Sequence, residues 1–235
     1  MWESTVNGRV LHFHLAGINN QNFIMRDEET GSWWQQVSGK AIYGPLKGHQ
    51  LKSVFHDEVS FAIWKGEQPQ GRVLKPDQRI AALDSYEAAD WEARVGRMRV
   101  VEGTDVDKRL APRTLVIGLT VDGKSIAYPL DTLQKQSPII DLVGSTPIVL
   151  VLGEDRRSVR AFERTVEGRR LEFFQKTDSA GFQLIDAETG STWDFEGKAI
   201  AGPLEGQRLK KVFVLEDYWF DWRHYHPDTR IYDLR

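Results

Sequence analysis

Cysteine is absent from all 235 residues, which removes disulfides, thiolate metal sites and thiol redox centres from this chain's own chemistry. Neither sign of charge is in excess, with 31 Lys and Arg against 34 Asp and Glu. The basic stripe demanded by a phosphate backbone is therefore missing, and nucleic acid is not an expected partner. No apolar run approaches the roughly 18–20 residues that span a bilayer, and Met1-Trp2-Glu3 lacks the charged and apolar regions of a signal peptide. Familiar catalytic signatures are also lacking. There is no Ser, His and Asp arrangement, no zincin helix motif, and only a lone Gly-Lys at Gly39-Lys40 in place of a phosphate-cradling loop.

A repeat is what the chain does contain. Asp-x-Glu-Thr-Gly-Ser occurs at Asp27–Ser32 and at Asp186–Ser191, each with the same companions in the same order. Thr-Val-x-Gly precedes each copy, at Thr5–Gly8 and Thr165–Gly168. Gly-Lys-Ala-Ile, Gly-Pro-Leu and Leu-Lys-x-Val-Phe follow. This pattern predicts an internal duplication, with a first copy over 1–65 that lacks its front half, a connector over 66–112 with a short helix, and a complete second copy over 113–235. The two are expected to form one pseudo-symmetric body, because the first copy alone would leave sheet edges unpaired.

Turn chemistry makes the expected structure mainly β. Asn7-Gly8 and Asp122-Gly123 accept the positive φ angles of type I′ hairpin turns, and Glu167-Gly168 occupies the equivalent place. Val10–Leu15 and Thr114–Leu119 have strand composition, and Ile148–Leu152 reads as a strand buried on both faces. In the repeated motif, Asp27 and Asp186 suit a tight corner and Gly31 and Gly190 a left-handed one. The expected fold is an antiparallel barrel-like or two-sheet structure with a few short helices. One helix is predicted from an Asp84/Glu87 capping box to Gly96. Another is predicted over Glu216–Tyr225, lidding a sheet and ended at His226 by Pro227.

Gly31-Ser32-Trp33-Trp34-Gln35-Gln36, Gly39-Lys40-Ala41-Ile42 and Gly44-Pro45-Leu46 together resemble the bacterial family known as domain of unknown function 3179. Val121–Leu130, with its Tyr-Pro-Leu, and His226-Pro227-Asp228-Thr229 extend the likeness through the second copy. The resemblance implies no particular reaction. It implies a location outside the cytoplasm and, in many members, a Cys-x-x-Cys pair whose positions fall on Gly153 and Arg156. A corresponding pair for the first copy would lie upstream of Met1.

Where the copies differ, a task has room to reside. His12 and His14 replace Glu172 and Phe174, and strand periodicity puts the two imidazoles on one face roughly 7 Å apart, a spacing that suits two metal ligands but shows no third. Asn19-Asn20-Gln21-Asn22, near Trp33 and Trp34, offers amide donors and acceptors beside aromatic rings, as a sugar or other polar ligand would need. Trp34 matches Trp193 and is expected in the core. Trp33 matches Thr192 and is expected on the opposite side of its strand. Asp27, Glu29, Asp186 and Glu188 read as turn carboxylates rather than acid–base pairs, since they recur in identical context. A positive charge on His224 or His226 would suit the end of the last helix.

These features favour a non-catalytic binding or scaffold module over an enzyme. The expected partner is a polar small molecule, a glycan or a protein, and no cofactor is expected within the chain. The alternative is a metal-dependent or redox enzyme using His12 and His14, or cysteines upstream of Met1.

Overall fold

A computed structural model describes residues 1–19, 22–75, 77, 90–100, 107–177, 179 and 181–233. Two compact units emerge: Met1–His56 with Val100–Thr104, and Asp57–Arg99 with Asp105–Arg235. The Asp84 and Glu87 of the predicted capping box lie outside the described residues.

In the first unit, β1 (Thr5–Val6) and β2 (Arg9–Val10) form a hairpin whose Asn7 and Gly8 have φ of 51° and 77°. Both angles are left-handed, as the type I′ reading requires. β3 (Phe13–Asn19), β4 (Asn22–Asp27), β5 (Trp33–Gln35) and β6 (Ala41–Tyr43) follow as a four-stranded antiparallel sheet in chain order. Its inner face buries Trp34, Ala41, Leu11 and Leu51, and the edge of Phe13 meets the Trp34 ring 5.8 Å away.

The second unit begins with α1 (Phe61–Glu67) and α2 (Trp91–Val95). β7 (Leu115–Val121), β8 (Lys124–Pro129) and α3 (Leu130–Lys135) follow. Next come β9 (Ile139–Val143), β10 (Thr146–Leu152) and β11 (Val159–Glu163). β12 (Thr165–Val166) and β13 (Arg169–Arg170) make a second small hairpin, which leads into β14 (Phe173–Gln175), β15 (Leu184–Asp186), β16 (Thr192–Trp193) and β17 (Ala199–Ala201). β18 (Lys210–Val212), β19 (Leu215–Tyr218), α4 (Trp219–Tyr225) and β20 (Arg230–Ile231) end the chain.

Of the two expected forms, barrel-like or two-sheet, the barrel is not what these strands build: among the described residues no sheet closes on itself. Three four-stranded sheets, ordered β19-β7-β8-β20, β18-β11-β10-β9 and β14-β15-β16-β17, share two cores instead. β10 shows why. Ile148, Leu150 and Leu152 point into one core with Ile117, Leu119 and Tyr128, whereas Val149 and Val151 point into the other with Phe162, Leu171 and Trp193. Strict alternation of apolar residues on both faces makes this strand the shared wall between two layers. Pairing is antiparallel except for β20, which lies parallel to β8.

The predicted helix over Glu216–Tyr225 starts three residues late, because Leu215–Tyr218 pairs with β7 and Tyr218 becomes the N-cap. The helix does lid its sheet: a Cβ on Gly118 would stand 2.3 Å from the Trp222 ring, so only glycine permits this approach. α1 and α3 have no counterpart among the predicted helices. α1 is clipped to β11 by Arg160, which is 3% exposed, bonds Glu67 at 2.6 and 2.8 Å and Asp57 at 3.0 Å, and lies over the Phe195 ring. Ile63 of α1 fills the space beside Gly153, where a Cβ would come within 2.9 Å of it. The position that the resemblance associates with cysteine is thus packed shut by an isoleucine.

The corners explain every residue of the repeated motif. Asp27 is fully buried, and its Oδ2 accepts Trp34 Nε1–H at 2.8 Å and Ser32 N–H at 3.1 Å. Its Oδ1 accepts Thr30 N–H at 2.6 Å and Thr30 Oγ1–H at 2.8 Å. Asp186 repeats this with Trp193 at 2.9 Å and Thr189 at 2.7 and 2.8 Å. Gly31 and Gly190 turn the chain at φ of 71° and 70°. The Ser32 and Ser191 hydroxyls each accept a backbone N–H, from Leu46 and Leu204, at 3.0 Å. Burial alone would raise the Asp27 carboxyl, but the bonds from Trp34, Thr30 and Ser32 more than offset it and hold it below the ordinary aspartate range.

At the junction of β19 and α4 the balance reverses. Burial first, and the hydrogen-bonded Asp221 carboxyl second, push Asp217 up to about 8, and Glu58 adds to the effect.

Two predictions follow from these carboxylates. Asp27→Ala should lower unfolding free energy by about 2–4 kcal/mol, since it strands the buried Trp34 and Ser32 donors at about 1–3 kcal/mol each. Glu28→Ala beside it should change little, and urea titration distinguishes them; an Asp27→Ala loss under about 0.5 kcal/mol would refute the role. The Asp27 contribution is present above the free aspartate value and is lost as pH falls through the depressed folded one. For Asp217 the sign is opposite. A raised carboxyl destabilises the fold progressively as pH climbs from the free value toward about 8, so Asp217→Asn should raise the unfolding midpoint more at pH 8 than at pH 5.

Candidate functional site

Because Asp27 and Trp34 point inward, their neighbours Arg26 and Trp33 point outward, and strand register sets these in one line. His14 faces Arg26, Arg26 faces Trp33, and Trp33 faces Tyr43. At about 4.8 Å between strands, this row of four side chains crosses the sheet over about 14 Å. Trp33 is 40% exposed and Tyr43 66%, whereas Trp34 next in sequence is 0% exposed. The expected split of the tryptophan pair is therefore observed. Trp33 and Tyr43 meet edge to face with centroids 6.1 Å apart. A β-bulge between Trp33 and Trp34 lets Trp33 reach Tyr43 while Trp34 stays opposite Ala41.

The Arg26 guanidinium lies across the corner, with Nη2 3.1 Å from where a Gly31 Cβ would stand. Gly31 thus serves the turn and leaves room for a cation above it. Among the described residues, none of His14, Arg26, Trp33 and Tyr43 donates a hydrogen bond or joins an ion pair. Imidazole, guanidinium, indole N–H and phenol hydroxyl are all polar groups that water or a ligand must satisfy.

The second unit's sheet supplies an internal comparison. At the same register, Phe174 faces Ile185, Ile185 faces Thr192, and Thr192 faces Ala201. That row has no charge and a single hydroxyl, although the Asp, Thr and Trp bonds of the corner beneath it match. Arg26 and Tyr43 were not singled out from sequence, yet the signal existed in the matched strings, where Arg26 stands against Ile185 and Tyr43 against Ala201.

Asn22 does not join this row. Asn19 pairs with Asn22 at the far end of the β3–β4 hairpin, and Asn20 lies outside the described residues. Asn22 sits four residues along β4 from Arg26, about 13 Å at the strand rise. Trp33 and Asn22 are therefore separate features.

His12 precedes β3 and is exposed, and its Nδ1–H donates to Glu29 Oε1 at 2.6 Å while Glu29 Oε2 accepts the His12 backbone N–H at 2.9 Å. Glu188 makes the same backbone bond to Glu172 N–H at 2.8 Å. The Glu of each corner therefore staples the start of the adjoining segment, and His12 adds a second bond to one of them. Among the described residues no group of three or more His, Cys, Asp or Glu is placed to hold a metal ion. The hydrogen bond and charge of Glu29 raise His12 above its ordinary value, and His12 in turn lowers Glu29.

His226 departs from the expected helix-end cation. Its backbone caps α4, and burial pushes its imidazole down, against a smaller opposing effect from the Trp222 carbonyl.

An NMR titration should find His12 titrating above the ordinary histidine value of about 6.5, with the shift abolished by Glu29→Gln. The stabilisation it adds is present at low pH and lost as pH rises through the raised value. A His12 titration unchanged by Glu29→Gln would contradict the pairing.

No curated protein and no solved structure matches the chain. Residues 1–229 match the family described as Protein of unknown function (DUF3179). With nearly the whole length matched, this chain belongs to the DUF3179 family.

Proposed function

We propose that this chain is a non-catalytic binding module that takes an anionic saccharide across the outer face of β3-β4-β5-β6. The observation that carries the reading is the row of His14, Arg26, Trp33 and Tyr43, exposed and unpaired among the described residues. A guanidinium offers a fork that matches a carboxylate or sulfate bidentately. Indole and phenol present apolar faces against which a sugar ring packs, with polar edges that hydrogen-bond its hydroxyls. The row contains no carboxylate to repel an anion. Its length of about 14 Å, from the strand spacing, suits a short oligosaccharide rather than one sugar.

We read the two sheets as products of an internal duplication. Support comes from the corner bonds shared by Asp27 and Asp186, and from equivalent rows that keep position while differing in chemistry. A saccharide partner fits the extracytoplasmic location implied by the family resemblance. The competing reading, a metal-dependent or redox enzyme built on His12 and His14 or on upstream cysteines, draws less support because no third ligand stands with the histidines among the described residues.

Isothermal titration with neutral and uronate-containing oligosaccharides tests the proposal. The uronates should bind, more weakly as salt increases. Trp33→Ala and Arg26→Ala should each weaken binding at least about tenfold, equivalent to about 1.4 kcal/mol. Phe174→Ala on the corresponding row should leave binding unchanged. Absence of binding by every saccharide, or wild-type affinity in Trp33→Ala, would overturn it.

A further inference from the structure

A cleft of about 450 Å³ opens in the second unit between the chain leaving α4 and the tips of two hairpins. Its volume falls within the range of about 300–1,000 Å³ typical of small-molecule pockets. Each wall is fixed by its own hydrogen bond. Asp122, in the β7–β8 turn, accepts the Ser145 and Thr146 hydroxyls at 3.0 and 2.9 Å, tying that turn to the β9–β10 turn. Buried Thr229 accepts Trp222 Nε1–H at 2.9 Å. Arg230 holds Asp141 at 2.7 Å, and Asp141 also accepts the Tyr128 hydroxyl at 2.8 Å. The cleft is therefore preorganised, which reduces the ordering cost of binding.

Three groups lining it are not spent on these anchors. His226 stacks on Trp222 at 3.7 Å and 17°, and its Nδ1–H donates to the Trp222 carbonyl at 3.0 Å. With that proton committed, Nε2 of the neutral ring is an acceptor, and the lowered affinity of the ring for a proton keeps it so. Asp228 and Lys124 are exposed and lie on the same lining, and neither makes an ion pair or hydrogen bond among the described residues. The cleft thus presents two acceptors, one of them anionic, and one cation.

We propose that this cleft binds a free α-amino acid, its ammonium taken by Asp228 and His226 Nε2 and its carboxylate by Lys124. The volume left over accommodates a side chain. The site lies wholly within the second unit and is independent of the saccharide reading for the first.

Titration of the whole chain with each standard amino acid, followed by calorimetry and by tryptophan fluorescence, is the test. At least one amino acid should bind saturably and alter fluorescence through the His226–Trp222 stack. Asp228→Asn and Lys124→Met should each weaken it at least tenfold, with unchanged circular dichroism and melting. The N-acetyl and the carboxamide derivatives of the same amino acid, which each lose one charge, should fail to bind the unmodified protein. That comparison tests the site independently of the variants. Absence of saturable binding by any amino acid overturns the proposal, as does equal binding by the derivatives or wild-type affinity in both variants.

Discussion

A buried aspartate hydrogen-bonded to a buried indole organises both units. In each, the carboxylate accepts the tryptophan N–H, a threonine and the turn backbone, so that a polar group is kept in an apolar core by its donors. An ion buried without such bonds would neutralise or unfold its surroundings. With them, the corner is fixed in conformation, and the tryptophan is fixed in direction. Everything outward on the sheet inherits its orientation from that inward pair, because successive side chains on a strand alternate.

This constraint separates the scaffold from its use. Asp27, Thr30 and Trp34 share their side-chain bonds with Asp186, Thr189 and Trp193, whereas the residues between them on the outer face differ. The first unit has placed a guanidinium, an imidazole and two polar aromatics there, and the second has placed Phe174, Ile185, Thr192 and Ala201. Apolar and small residues satisfy a sheet face without a ligand. Four polar groups whose side chains make no hydrogen bond among the described residues are left to water or a ligand.

The second unit adds a different economy, in which one sheet serves two cores. β10 contributes alternate residues to each side, and Arg160 of β11 reaches beyond the sheet to hold α1 through Asp57 and Glu67. Removing these three charges from water is costly, and a bidentate fork with the Phe195 carbonyl and ring face compensates for it. The same unit carries a carboxyl pair, Asp217 and Asp221, in which burial and the neighbouring carboxyl raise Asp217 instead. Burial thus has opposite consequences for Asp27 and Asp217, decided by the number of donors each one meets.

Sequence alone was sufficient for the local features. The type I′ turns at Asn7-Gly8, Asp122-Gly123 and Glu167-Gly168, the glycine corners, the strand with two buried faces and the inward direction of Trp34 all depend on residues adjacent in the chain, whose conformational preferences act over a few bonds. The layering of three sheets in place of a barrel, the late start of α4 behind β19, the packing of Ile63 against Gly153 and the alignment of His14, Arg26, Trp33 and Tyr43 were decided by tertiary structure. Each joins residues far apart in the chain, and their meeting depends on strand register and on which surfaces close over one another. Local propensity carries no record of either.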